Sequence, residues 1–250
     1  MLATMSTGPV GLSDGAGNHN KTRLMRTCDA DGTILQPNKP MTPIDATYRA
    51  ILSASERPIP AAAVWQTYSH ADGLDGDLGS YQYHLLGVDV KSDELPVMRD
   101  DFYPAIDHDT ELIVRDWHRS AACVNGSDAV TSGCVMAVSD ASSGVVTMGP
   151  GFDWPHKSPP EHGAEWHTTQ LYTVTQSGGS TWVMLGELDK FTSVSSARFS
   201  KLQTSTTGIK ASLRGGAGEV VRLTALTPDK KVVTADVKIG AGGTADWSCA

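Results

Sequence analysis

The chain has 250 residues, 40% of them hydrophobic, with a formal net charge of −8. That length suits one large domain or one and a half, and the composition is that of an ordinary globular protein. An acidic balance argues against nucleic acid or an anionic membrane surface as partner, since both call for a basic face. No stretch approaches the roughly 20 consecutive apolar residues of a membrane-spanning helix.

The opening, MLATMSTGPVGLSDG, has no basic region and no sustained apolar run, so it does not read as a signal peptide. It enters a Gly-Pro and Ser-Asp loop almost at once, and further sequence upstream of Met1 is the expectation. Residues 7–14 read as a short buried strand running into a loop. Asn18 or Asn20 then caps a short helix reaching Cys28, with Leu24 and Met25 inward. Asp29-Ala30-Asp31-Gly32-Thr33 is a turn, and Ile34-Leu35 a brief extended piece closed by Pro37 and Pro40. Thr42 is expected to cap a second helix with Pro43 at its first position, running through Tyr48, Ile51 and Leu52. SERPIP, residues 55–60, makes an extended linker.

Beyond residue 62 the apolar pattern changes to alternation and short runs. Strands are expected over residues 64–68, 81–90, 111–117, 133–138, 145–148 and 170–175, then 182–187, 194–200, 209–214, 219–226 and 231–239. Residues 150–165 hold Pro155, Pro159 and Pro160 and read as an irregular connection. Many short strands between Gly, Pro, Asp and Ser turns argue for a β-sandwich.

Cys123 and Cys134 bracket the polar, turn-rich VNGSDAVTSG and are candidates for a disulfide-stapled hairpin. Asn125-Gly126-Ser127 inside it, and Asn20-Lys21-Thr22, are glycosylation sequons. Together they point to a secretory or extracytoplasmic setting. Buried reduced thiols in a cytosolic protein are the competing reading. Cys28 and Cys249 are left unpaired.

Ser13-Asp14 lies where a strand meets a glycine-containing loop. At the C-terminal ends of barrel strands a carboxylate can accept two hydrogen bonds from neighbouring sugar hydroxyls. The alternative is an Asp capping the next turn. Asp29-Ala-Asp-Gly32 resembles the start of a calcium loop, but its Gly comes too early and no Glu stands at the twelfth position, so it reads as a turn. The acidic, glycine-rich loop with His70, Asp72, Asp75 and Asp77 has the residue types to hold calcium, but it reads as solvated surface. His156, His162 and His167, with Glu161 and Glu165, match no zinc spacing. No metal or other cofactor is expected. Trp65, Trp117, Trp154, Trp166 and Trp182 could offer stacking faces for sugars, but such tryptophans more often fill a sandwich core, and Trp65, Trp117 and Trp182 sit in apolar strand patterns; Trp154 is the one tryptophan singled out for ligand contact. There is no nucleophile elbow, P-loop or dinucleotide fingerprint. Nor do two carboxylates stand on consecutive barrel strands, as retaining glycoside chemistry requires.

Gly8-Pro9-Val10, Ser13-Asp14, Gly17-Asn18-His19, Leu24, Asp31-Gly32 and Ile34-Leu35 occur in the order and spacing found at the end of the barrel in raffinose synthases and alkaline α-galactosidases, the plant-type branch of glycoside hydrolase family 36. The segment is similar to that family over roughly the first fifth of the chain. Leu171-Tyr-Thr-Val-Thr175, 183–188, Ser195-Ala-Arg-Phe199 and Gly215-Gly-Ala-Gly-Glu-Val220 are similar to its C-terminal β-domain. Gln36 stands where the family often has Arg, and Ala30 where it has Pro.

The resemblance implies a mainly β fold: an antiparallel β-sandwich over residues 57–250, preceded over 1–56 by the last β/α unit of a (β/α)8 barrel. It implies α-galactosides as substrates of the intact enzyme, by hydrolysis or transfer. It implies that Asp14, with Ser13 and His19, faces the sugar. The two catalytic aspartates of that family fall on earlier barrel strands, so no catalytic residue is assigned within this chain. A non-catalytic carbohydrate-binding or structural β-sandwich is the alternative. If the barrel is incomplete, Val10, Leu12, Leu24, Met25, Ile34 and Leu35 are expected to be exposed.

Overall fold

Alternation of inward and outward side chains organises most of this chain, and the computed structural model shows two β bodies built from it. It describes residues 2–8, 17–53, 63–73, 80–88, 95–106, 110–138, 145–148, 169–178 and 180–250. The fold is mainly β with antiparallel sheets. In chain order, α1 (Leu2–Met5) and α2 (Lys21–Met25) precede β1 (Thr42–Pro43) and α3 (Asp45–Ser53). The first body continues with β2 (Ala63–Ala71), β3 (Ser80–Val88), β4 (Leu95–Val97), β5 (Glu111–Asp116), β6 (Met136–Val138), β7 (Val146–Met148) and β8 (Thr169–Ser177). Six of these strands form one sheet in the order β1-β2-β3-β8-β5-β6, while β4 and β7 pair apart from it.

One face of the six-stranded sheet is apolar. Val64, Tyr83, Leu85, Leu112, Val114 and Val174 pack there beneath Ile44, Phe102, Ile106 and Val146. Fully burying each such side chain is worth about 1.5–3 kcal/mol. Tyr83 meets Phe102 edge-on, with ring centroids 5.3 Å apart, the arrangement that aromatic quadrupoles favour.

The second body holds β9 (Val183–Gly186), β10 (Phe199–Thr204), β11 (Ile209–Arg214), β12 (Val220–Leu226), β13 (Val232–Lys238) and β14 (Thr244–Cys249). Sheets β10-β11-β14 and β13-β12-β9 share one core that includes Met184, Phe199, Leu213, Leu223 and Val237. In β11 the pattern is plain: Ile209, Ala211 and Leu213 are buried, while Lys210 and Arg214 are exposed. Gly186, at φ +87°, lies so close to the Ser193 carbonyl that a Cβ would strike it, and only glycine takes that conformation without strain.

Several expectations are corrected. Thr42 and Pro43 do not open the helix; they pair with Gln66 and Trp65 as an edge strand, where the missing proline donor costs nothing. The strand expected over 194–200 begins only at Phe199 and continues to Thr204. Residues before it are held in a loop by side-chain bonds from Ser193, Ser195 and Arg198 to other elements. Strands β4 and β14 lie outside the ranges expected from the sequence.

The N-terminal segment is not laid open either. Leu35 is 1% exposed, and Leu24, Met25 and Ile34 are half-buried. The segment lies against the rest of the chain: Ile44 N–H donates to Val64 O, Asn38 N–H to Tyr68 O, and Phe191 N–H to Arg26 O. Val10 and Leu12, the strand expected over 7–14 from residue 9 onward, and the 55–60 linker lie outside the described residues.

Candidate functional site

Three charged side chains close the end of the second body. Arg198, one residue before β10, is fully buried. Its Nε donates to Glu187 Oε1 at 2.7 Å, its Nη1 to Glu219 Oε2 at 2.9 Å and its Nη2 to Glu219 Oε1 at 2.6 Å. Nη1 also reaches the Arg214 carbonyl at 2.6 Å. A guanidinium is suited to this because its fork serves two acceptors in fixed geometry. A Cβ on Gly215 would collide with Arg198 Nη1 and Glu219 Oε2, so a larger residue at that position would displace the ion pair.

Two carboxylates around one guanidinium leave an excess negative charge. Burial raises the pKa of Glu187 despite its ion pair with Arg198. Burial also acts against ionisation of Glu219, but the hydrogen bonds and charge of Arg198 outweigh it and the net shift is downward. Lys190, 5% exposed, supplies a second cation nearby. Its Nζ donates to the carbonyls of Met25 at 2.5 Å and Cys28 at 2.9 Å, which ties α2 to the loop after β9. The Asp29 turn completes the contact. Asp29 Oδ1 accepts from the N–H groups of Asp31 and Thr33, and Ala30 N–H donates to Glu219 Oε1 at 3.3 Å.

Beside this cluster lies an open cleft of about 1010 Å³. Met25 and Lys190 stand on one side, Asn125 and Val124 on another, and Arg222 and Asp236 across β12 and β13. Arg222 and Asp236 are joined at 2.8 and 3.2 Å. The cleft therefore carries both charge signs, most of them already spent on one another. That suits a neutral hydroxylated ligand better than an ion.

A second constellation is buried between the two bodies. Registers place Thr67, His84, Thr173 and Arg115 side by side across four strands, with Ser69, Gln82 and Thr175 in the adjoining row. All seven are buried. The loop between β9 and β10 covers them: Ser193 Oγ donates to Gln82 Oε1 at 2.8 Å, and Arg115 Nη2 donates to Ser193 Oγ at 3.5 Å. Ser69 Oγ lies 2.8 Å from His84 Nε2, a spacing that resembles a nucleophile and its base. Both are sealed at 0% exposure, and His84 Nδ1 has no hydrogen-bond partner. Burial, followed by the charge of Arg115, lowers the His84 pKa to about 3. Nε2–H donating to Ser69, with Ser69 donating to Gln82 O at 3.5 Å, leaves only an acceptor unfilled, the cheaper defect. This pair is structural.

Of the residues singled out in the sequence, Ser13 and Asp14 lie outside the described residues, as do Asp75, Asp77, Trp154, Trp166, His156, His162, His167, Glu161 and Glu165. His19 is exposed just before α2. Asn20 is the N-cap of α2, its Oδ1 accepting from Arg23 N at 3.1 Å. His70 Nδ1 stands 3.7 Å from Asp72. Cys123 and Cys134 are joined in a disulfide, and Cys28 and Cys249 are free thiols. Among the described residues no three His, Cys, Asp or Glu side chains converge as a metal site. Trp117 and Trp182 are each 7% exposed and belong to the cores.

Sequence reasoning missed the Arg198 cluster and the buried polar rows. Arg115 directly after the apolar run Leu112-Ile113-Val114, and His84 before Leu85-Leu86, were the available signals. Compared with protein-family models and with curated proteins, the sequence matches none.

Proposed function

We propose that this chain is the C-terminal, β-rich part of a carbohydrate-active enzyme of the α-galactosidase and raffinose synthase type. The observation that supports it is the ordered series from Gly8 to Leu35, together with how the similar segments meet. The Asp29 turn, Arg198 of Ser195-Ala-Arg-Phe199 and Glu219 of Gly215-Gly-Ala-Gly-Glu219 join at one point. Residues shared for a common architecture are expected to be those that clasp distant segments. In this reading 1–56 ends a (β/α)8 barrel and 57–250 forms a β-sandwich. Asp14, Ser13 and His19 face the sugar, and the two catalytic carboxylates belong to barrel strands outside this chain.

The intact enzyme would then hydrolyse or transfer α-linked galactosyl groups, and residues 1–250 alone would turn over none. The test is the coding sequence upstream of Met1, read in frame. Barrel strands bearing two aspartates are expected, and a frame without them overturns the assignment. Hydrolysis of an α-galactoside by the isolated chain, lost in no surface variant but lost in Asp14→Asn, would also overturn it.

The cleft beside β12 and β13 favours a second reading, a β-domain that binds carbohydrate without cleaving it. Calorimetric titration with galactose and raffinose separates the two. Binding that disappears in Arg222→Ala, with folding retained, supports this alternative.

A further inference from the structure

Asn125 sits in a short loop whose two ends are fixed independently. The Cys123–Cys134 disulfide closes it, and main-chain bonds lay it against the start of β13. Gly126 N–H donates to Val232 O at 2.7 Å, and Val232 N–H to Ser127 O at 2.9 Å. Ser127 Oγ donates to Val124 O at 2.6 Å, and Gly126 takes φ +80°, so the Asn-Gly-Ser triplet forms a tight exposed turn. Asn125 itself is exposed, and its Oδ1 accepts from Thr234 N–H at 2.9 Å. Because the partner is a donor, the oxygen must face inward, and the amide nitrogen therefore points away, with no hydrogen-bond partner among the described residues.

We infer that Asn125 is an N-glycosylation site, carrying an oligosaccharide on Nδ2 at the mouth of the cleft. The chemistry requires Asn-x-Ser/Thr with x other than proline, on surface chain in a secretory compartment. The disulfide one turn away belongs to the same oxidising setting. In the transfer, Nδ2 bonds to C1 of an oligosaccharide carried on a lipid diphosphate. The C1–O bond to the diphosphate breaks, the diphosphate leaves with the electron pair, and Nδ2 gives up one proton. Oδ1 keeps its acceptor role, so the bond to Thr234 survives modification.

The neighbours give the glycan a physical task. Val124 is 59% and Val220 61% exposed, and both line the cleft with Asn125. A branched sugar rooted there covers two apolar side chains that are otherwise open to water. Asn20 also has its Oδ1 engaged, as the N-cap of α2, but among the described residues it has no disulfide-closed loop or exposed apolar pair beside it.

Peptide mapping of the protein isolated from its own cells tests the assignment. The peptide containing Asn125 is expected to carry a hexose and N-acetylhexosamine mass series. Enzymatic release of the glycan should convert that asparagine to aspartate, which the fragment masses report. An unmodified Asn125 in chains whose Cys123–Cys134 bond is intact overturns the assignment, as does carbohydrate on Asn20 alone. Ser127→Ala, secreted from a eukaryotic cell, is expected to lose the glycan mass entirely while keeping the disulfide. Carbohydrate retained on Asn125 in that variant would refute it. None of these outcomes depends on glycosidase activity.

Discussion

Arg198 grips Glu219 with both terminal nitrogens, at 2.9 and 2.6 Å, while its Nε holds Glu187 at 2.7 Å. Side-chain exposure is 0% for Arg198, 4% for Glu187 and 11% for Glu219. Removing the cation therefore strands a carboxylate in the interior instead of returning it to water. Arg198→Met is expected to cost about 3–5 kcal/mol in urea unfolding. Arg198→Lys should recover only part of this, because one ammonium cannot reproduce the fork. A loss under about 1 kcal/mol for Arg198→Met would show that the three groups do not act as a unit.

His84 makes stability depend on pH. Its folded pKa of about 3 lies below the ordinary imidazole value of about 6.5. Between those limits the unfolded chain binds a proton and the folded chain does not, so stability rises with pH across that window. The slope from this residue is on the order of 1 kcal/mol per pH unit, and it vanishes above about pH 7. His84→Gln, close in size and uncharged, should flatten the dependence between pH 4 and 6. An unchanged slope in that variant would remove His84 as its source.

Reduction of Cys123–Cys134 releases an 11-residue separation, for which chain-entropy arguments allow up to about 3 kcal/mol. The local effect should be larger than the global one. Val232 and Gly126 amides, which the loop pairs across the start of β13, are expected to lose hydrogen-exchange protection first. Uniform loss across β9 to β14 would mean the loop is not a separate cooperative unit.

Deleting residues 1–56 is expected to harm the protein. Leu35 and Ile44 are 1% and 2% exposed, and Ala30 and Gln36 bond to Glu219 and Ser195. A chain beginning at Arg57 should show a lower thermal midpoint and bind more apolar dye than the whole. Equal midpoints would mean the segment is only an appendage.

What the sequence made legible was alternation backed by burial. Ile209, Ala211 and Leu213 announce β11, and the Val64–Tyr68 pattern announces β2. β14 escaped because Ala245, Asp246 and Ser248 have little strand propensity and its inward residues are only half-buried. The 194–200 expectation followed Val194 and Phe199, which are buried, and overlooked how Ser195 and Arg198 are drawn to other elements. Gln82 and His84 alternate with Tyr81, Tyr83 and Leu85, a pattern that ordinarily places the polar set in water. Here a loop more than 100 positions later covers them, and no local pattern encodes that. The Arg198 cluster is hidden for the same reason: the Asp29 turn meets Glu219 from 189 positions away.

The rows of hydroxyl, amide, imidazole and guanidinium between the two β bodies give their joint a particular character. A greasy seam tolerates sliding, since one apolar neighbour replaces another at little cost. A seam of directional bonds is keyed: a shift of one residue breaks the Ser193–Gln82 and Arg115–Ser193 links together. The same joint also carries apolar contacts, Ile113 of the first body packing with Val183, Leu185 and Leu226 of the second, so parting the halves would bare both kinds of surface. The directional bonds fix where the halves meet, and the apolar contacts beside them hold the halves together.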